Sequence, residues 1–511
     1  MSKHALIENA HYILPEYPPY RGNPFIEALP PILPPTMAAK LLKTSIDFQP
    51  EYKQLPTHIK LHALKEILFW RQPTTFQIDL EQRFSVMIRT GYRGRNPLHK
   101  AFWDDVISGR QSLTSQSLDI PRSEEATSTG FAIVGDSGTG KSCAVRSVLL
   151  LYPQLIIHKE YNQREFNRLQ IVYIIIQCPE KGGLVALCHN FFRQVDQILR
   201  TNYSDIYTRK GQARLAEMIG HMYTVAQTHG IGVMVIDEIQ NLTEAKANDA
   251  EVMLNFFVRL VNDLCLPIVP VGTPKAIEVL SKAFRQARRL SGQGDLIVKR
   301  MKFDKNWDFF VKKMWEYQYI LKPALLTPEL SKALYYESQG ITDLVVKVFI
   351  LAQIRSMNTT DELIRETLTK PIIHSVKDSL TLLQPMLKAL RANNESAMAE
   401  YKDLYDAINI DAEIQQALLK IPVITETTSQ VPVNIDNLSD SDKSTSSNEL
   451  KISNKPSTDK IKKPKNNRNK ESAIVYKGGL LDIIIQGKSN NIPPSEALAQ
   501  AGYMRDLTNY L

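Results

Sequence analysis

Two groups of residues in this chain have the types and spacing that phosphate chemistry needs. The first is Gly135, Asp136, Ser137, Gly138, Thr139, Gly140, Lys141 and Ser142, a G-x-x-x-x-G-K-S run between an apolar strand pattern at 131–134 and an amphipathic helical pattern that starts at Lys141. Glycines at 138 and 140 let the backbone curl so that successive amides face one anion, and the following helix aims its free N–H groups at the same point. Lys141 then reaches the β and γ phosphates of ATP as a point charge, and the Ser142 hydroxyl ligates Mg2+. The bland alternative is a glycine-rich strand-to-helix turn that holds nothing. The second group lies in GIGVMVIDEIQNL (230–242), an apolar strand ending in Asp237 and Glu238. Carboxylates at that end of a parallel sheet lie beside the loop, where open α/β sheets hold ligands. Asp237 is expected to hold Mg2+ through water, and Glu238 to orient and polarise the attacking water.

The elements that must position these groups follow from periodicity. Between 131 and about 303 apolar strand patterns at 171–178, 233–237, 267–272 and 295–303 alternate with helical ones, which predicts a parallel sheet covered on both faces. Residues 13–35 carry too many prolines for helix or central strand and read as an extended docking or linking arm. Apolar residues at helical spacing predict helices over 59–70 and 80–92, with a shorter one near 100–107. Residues 304 to about 420 read as all-helical, with patterns at 307–320, 341–354 and 396–408, and 425–472 is polar enough to predict disorder. The resulting division is an arm and helical docking region at 1–110, a nucleotide-binding core at 111–303, a helical lid at 304–424, a linker at 425–472 and a docking segment at 473–511.

Composition narrows the class. Of 511 residues 43% are apolar and 23% charged, enough for a large core, and no apolar run reaches membrane-spanning length. Without a leader-like N-terminus, a cytoplasmic protein is expected, with no membrane partner. Cys143, Cys178, Cys188 and Cys265 are scattered, as reduced thiols would be. The net charge of +8 is weak evidence for nucleic-acid binding by the core, because Lys460, Lys462, Lys463, Lys465, Arg468 and Lys470 sit in one polar run.

The loop and acidic strand together resemble the AAA+ ATPases. The segments GDSGTGKS, HGIGVMVIDEIQNL, LPIVPVGTPKA and FRQARRLSGQG, in that order, sharpen the resemblance to the TnsC/TniB family of transposition regulators from TnsABCD-type bacterial transposons. RTGYRGRNPL (89–98) and GITDLVVKVF (340–349) also look like that family, so the similarity spans about residues 80–410; GTPKA and GITDLVVK give most of its specificity. The resemblance implies an AAA+ P-loop parallel sheet flanked by helices, with an all-helical lid and C-terminal region, a helical N-terminal region and a disordered tail. It also implies an ATPase that oligomerises on double-stranded DNA without reading its sequence, as a ring or helical assembly. Such a protein links a target selector to transposase subunits resembling TnsA and TnsB, and resets on hydrolysis. Thr273 matches the γ-phosphate sensor, and Arg285, Arg288 and Arg289 lie where an arginine finger for a neighbour's nucleotide is found. Where many relatives carry a lid arginine, GITD places Asp343; Lys347, one turn later, is either its substitute or a plain surface lysine. Lys181, Arg193, Arg209, Lys210 and Arg214 lie where a DNA channel is lined in such proteins.

Two other functions fit parts of the pattern. A helicase loader or replication-origin ATPase would add a sequence-reading DNA domain, but no winged-helix pattern follows the lid. A nucleotide-locked signalling adaptor would need no turnover, and Glu238 with the arginines counts against it.

Overall fold

The computed structural model describes residues 7–100, 102–103, 130–180, 183–208, 215–244, 261, 266–276, 293–361, 364–392 and 410–420. Among them are eight strands: β1 Ile7–Asn9, β2 Ile133–Gly135, β3 Leu155–Tyr161, β4 Arg164–Ile171, β5 Tyr173–Gln177, β6 Val233–Asp237, β7 Ile268–Gly272 and β8 Leu296–Val298. Five form a parallel sheet in the order β5-β6-β7-β2-β8. Every residue of β2, β6 and β7 is buried, which is why these strands read as continuous apolar runs rather than alternating ones. Gln177 is in register with Asp237, and Val134 with Gly272, so the chain ends of β5, β6, β7 and β2 share one edge of the sheet. β7 separates the strand that leads into the glycine loop from the strand that ends in the two acids. Gly135 has a packing reason of its own: a Cβ there would lie 2.3 Å from the Val298 carbonyl oxygen across the β2–β8 pair.

Helices cover the sheet. The helix Thr75–Arg93 opens with a capping box between Thr74 and Gln77 and buries Phe84, Met87, Ile88 and Tyr92 against Phe131, Ile133, Val145, Val148 and Val233. On another side, Leu187, Phe191 and Val195 of Leu184–Leu199 pack with Met218 and Met222 of Leu215–Thr228 against Ile174, Met234 and Ile236. Every described element between 305 and 420 is a helix. Asp304 caps Lys305–Met314 by accepting from Asn306 N and Trp307 N, and Thr327 caps Pro328–Ser338 by accepting from Leu330 N. Thr342–Asn358 is buried on nearly every face and forms the centre of this body.

The N-terminal region is divided between the two bodies. Leu61, Leu64, Ile67 and Trp70 join the helical cluster of Trp307, Met314, Leu334 and Phe349. The helix expected over 59–70 is α-helical only as Thr57–Ala63 and continues as a 3-10 segment, Leu64–Phe69. The proline-rich arm is docked and not wholly extended. It holds the one-turn helix Pro24–Glu27, whose first residue is proline where no N–H is needed, and it buries Phe25 and Ile26. Asn23 Nδ2 donates to the Tyr92 carbonyl at 2.8 Å and Tyr161 Oη to Glu27 Oε2 at 2.9 Å, fixing the arm to the core.

A second sheet, β1-β3-β4, was not expected; its β3 and β4 lie between the glycine loop and β5. Asn162 and Gln163 turn its antiparallel hairpin with φ of 49° and 62°, the left-handed pair that a two-residue turn between right-twisted strands requires. The segments 396–408 and 425–511, and the short helix predicted near 100–107 apart from Lys100, Phe102 and Trp103, lie outside the described residues.

Candidate functional site

The glycine loop, the acidic strand end and the first turn of the helix Thr342–Asn358 line one cavity of about 1140 Å³. Gly138 and Gly140 adopt φ of 72° and 88°, backbone that L side chains rarely take, so the loop curls where glycine permits it. Thr139 Oγ1 donates to the Asp136 carbonyl at 2.6 Å and tightens the turn. Lys141 folds back over the loop, its Nζ 2.7 Å from the Gly135 carbonyl oxygen and 2.8 Å from that of Asp136. Burial pulls its pKa down, while Glu238, Asp136 and Asp237 pull the other way, so the ammonium is held among acceptors within the cavity wall.

Ser142 Oγ donates to Asp237 Oδ1 at 3.0 Å, closing the gap between the loop and the acidic strand. The same carboxylate oxygen accepts from Glu238 N at 3.1 Å, and Asp237 is buried. Glu238, by contrast, is exposed to the cavity, with φ 58°. A non-glycine residue held in that region costs about 1 kcal/mol or more, and such residues cluster where side-chain direction matters. The Gln240 amide donates to Glu238 Oε2, and its Oε1 accepts from Thr273 N at 3.1 Å. Thr273 is buried at the end of β7 and lines the cavity; among the described residues its Oγ1 has no hydrogen-bond partner. An orphaned hydroxyl in a polar cavity is a group awaiting an acceptor.

The lid reaches the loop directly. Asp343 N donates to the Gly138 carbonyl at 3.1 Å, and Lys347 Nζ pairs with Asp343 Oδ2 at 2.7 Å. Lys347 therefore faces the cavity, tied to the acid that stands in the expected arginine's place. Gly340, just before this helix, packs against Met301: its φ is 73° and a Cβ there would lie 2.1 Å from the Met301 carbonyl oxygen.

Gly135, Asp136, Ser137, Gly138, Thr139, Gly140, Lys141, Ser142, Asp237, Glu238 and Thr273 are thus placed on one loop and two adjoining strand ends. Arg285, Arg288 and Arg289 lie outside the described residues, as do Lys181, Arg209, Lys210 and Arg214; Arg193 is exposed on Leu184–Leu199. Sequence reasoning assigned no part to Arg71, Phe76 or Gln240, which also line the cavity. Arg71 Nε donates to Cys143 Sγ at 3.1 Å, although 72 residues separate them. Nothing local marks Arg71, whereas Gln240 sits two residues beyond Glu238 within the acidic motif itself. Cys178 also lines the cavity, but burial, with Glu238 adding, pushes its thiol up to about 12, so it stays protonated.

Residues 126–280 match the family model described as AAA domain. With the parallel order of the sheet and the helices that cover it, the chain has an AAA+ P-loop fold with a helical lid and a helical N-terminal region. Solved structures with some likeness include the Walker-type ATPase paby2304 of Pyrococcus abyssi, 14% identical over 57% of this chain and 83% of that one, with a TM-score of 0.34. The Aeropyrum pernix ORC1 protein in complex with DNA is 12% identical over 63% and 84%, with a TM-score of 0.34. Cdc6p from Pyrobaculum aerophilum is 12% identical over 64% and 88%, with a TM-score of 0.31. Likenesses at these scores carry no argument about substrate or partner. No curated protein matches the chain. Among the described residues no helix is long and apolar enough to cross a membrane.

Proposed function

We propose that this chain hydrolyses ATP with Mg2+ and, as an oligomer on double-stranded DNA, regulates transposition by linking target choice to the transposase. The observation that carries the ATPase reading is the convergence of Lys141, the Ser142–Asp237 pair, Glu238 and the unpartnered Thr273 hydroxyl on one cavity. Lys141 would exchange its loop carbonyls for β and γ phosphate oxygens, and Thr273 Oγ1 would donate to the γ phosphate. Ser142 and Asp237 fit Mg2+: both offer hard oxygens, already 3.0 Å apart, and this ion keeps several waters and so needs no larger protein cage. Bound there, Mg2+ would neutralise phosphate charge. Glu238 would accept a proton from the attacking water, its carboxylate reaching into the cavity from a backbone fixed in the left-handed region. One of Arg285, Arg288 and Arg289 would complete a neighbour's site, and hydrolysis would reset the assembly.

The transposition reading rests on the resemblance of GTPKA and GITDLVVKVF to the TnsC/TniB family. The contact of Asp343 with Gly138 gives GITD a place against the glycine loop, where bound nucleotide would alter the lid. DNA contact would be to phosphates, through residues such as Arg193, and would weaken steeply with salt. Steady-state ATPase assays and DNA co-sedimentation test the reading. Glu238→Gln should bind ATP, lose turnover and stay assembled on DNA; turnover at the parental rate would refute the role of Glu238. Deleting 425–511 should leave turnover and DNA-dependent assembly while impairing capture of transposase subunits. Equal capture by the truncated chain would move transposase docking to the ATPase body, and no capture by either would leave the transposition reading without support.

A further inference from the structure

Gln240 joins two groups that the proposed reaction uses separately. It stands in the 3-10 turn Ile239–Glu244 that follows β6, and its side chain spans from Glu238 to the end of β7. Its Nε2 donates to Glu238 Oε2, and its Oε1 accepts from Thr273 N at 3.1 Å. Only one orientation of the amide satisfies both neighbours, because turning it over would set an NH2 against an N–H and an oxygen against a carboxylate. Glutamate at this position would keep the contact with Thr273 and repel Glu238; a side chain without polar atoms would lose both. The fold makes room for this bridge. A Cβ on Gly272 would lie 2.7 Å from Gln240 Oε1 and 2.7 Å from Ile239 Cγ2, so glycine at the end of β7 permits the amide to reach the strand.

We propose that Gln240 is a positioning residue: it fixes the Glu238 carboxylate and ties it to the backbone beside Thr273, so that contact with the γ phosphate and activation of water are aligned. The inference rests on the ATPase reading. The Thr273 backbone N–H and the Glu238 carboxylate are then joined by one bridge, and a change at the end of β7 is passed to the group that accepts the proton. Gln240 itself touches no reacting atom, so its loss slows turnover without weakening nucleotide binding.

Steady-state ATPase kinetics and titration with fluorescent ATP, both on the full chain, test this. Gln240→Met should lower kcat about tenfold, chiefly through loss of the charge-assisted hydrogen bond to Glu238, and leave KM and ATP affinity within about twofold. Gln240→Glu should lower kcat further. In Glu238→Asp, whose shorter side chain falls back from the amide, adding Gln240→Met should cost no more than about twofold, because the bridge acts through the residue already changed. An unchanged or raised kcat in Gln240→Met, a parallel rise in KM, or losses that multiply in the double variant would overturn the proposal. A parent chain that neither binds nor hydrolyses ATP would overturn the ATPase reading instead. Turnover that depends on Glu238 but not on Gln240 would overturn only this inference.

Discussion

Replacing Lys141 with Met separates what this residue does for the loop from what it would do for a ligand. Its ammonium lies within hydrogen-bond distance of the Gly135 and Asp136 carbonyl oxygens and is largely buried, which disfavours its charge. The substitution takes a charged donor from the Gly135 oxygen, whereas Asp136 keeps the bond from the Thr139 hydroxyl. Losing that donor costs about 1–3 kcal/mol, offset by relief of a desolvated charge, so the net change in stability should stay within about 1 kcal/mol. Nucleotide binding has no such offset. Losing a hydrogen bond from a charged donor to phosphate removes about 1.5–3 kcal/mol, a roughly 10- to 150-fold fall in affinity. Equilibrium titration with fluorescent ATP and Mg2+, beside a thermal melt without nucleotide, reads both quantities. Affinity within threefold of the parent, with an unchanged melt, would refute the assignment of Lys141 to phosphate.

Three further outcomes follow from the geometry. Lys60 Nζ pairs with Glu366 Oε2 at 2.8 Å with both side chains largely buried, so Lys60→Met should destabilise the helical body by about 3 kcal/mol, and adding Glu366→Gln should recover part of it in a chemical melt. If Lys60→Met melts like the parent, the pair does not hold the N-terminal segment to the lid. Gly340→Ala forces a Cβ against the Met301 carbonyl at positive φ and should lower the melting temperature and weaken ATP binding together; loss of neither would mean the lid does not depend on this turn. Burial lowers both His158 and His229 from 6.5 to about 4, so their neutral forms contribute stability that is full above pH 6.5 and lost as pH falls towards 4. Thermal melts from pH 7 to 4.5 should show a decline that is shallower in His158→Gln/His229→Gln, and an equal slope would refute that origin.

How much of this was legible in the sequence depended on whether the signal was local. β6 was readable to its last residue because a strand buried on both faces leaves an unbroken apolar run, and Asp237 ends it abruptly. The glycine loop was readable because positive φ at 138 and 140 admits few residues other than glycine. The β3–β4 hairpin went unread, although Asn162 and Gln163 stand between alternating segments, because Asn-Gln is a weaker turn signal than Asn-Gly. Arg71 could not be found at all: its place beside Cys143 comes from the antiparallel bridge of Thr44 with Arg71 and from the packing of Trp70, neither of which leaves a pattern in the chain. Lys347 was legible as a cation one turn into the lid helix, but its pairing with Asp343 and its turn towards the cavity required the docking of that helix on Gly138.

Leu61, Leu64, Ile67 and Trp70 belong to a cluster whose other members begin at Trp307, and this separation governs how the chain must be made. At about 5–20 residues per second, the ribosome needs roughly 12–50 s to add the intervening chain, and for that time these four side chains have no place to bury. The sheet can close around β2, β6 and β7 meanwhile, since its strands and the helix Thr75–Arg93 lie within the stretch already synthesised. An apolar N-terminal stretch is therefore left beside a folded core until Trp307 and the residues after it emerge. Holdase chaperones would find it there, and the yield of folded protein should be more sensitive to translation speed between 100 and 310 than to the stability of the finished lid.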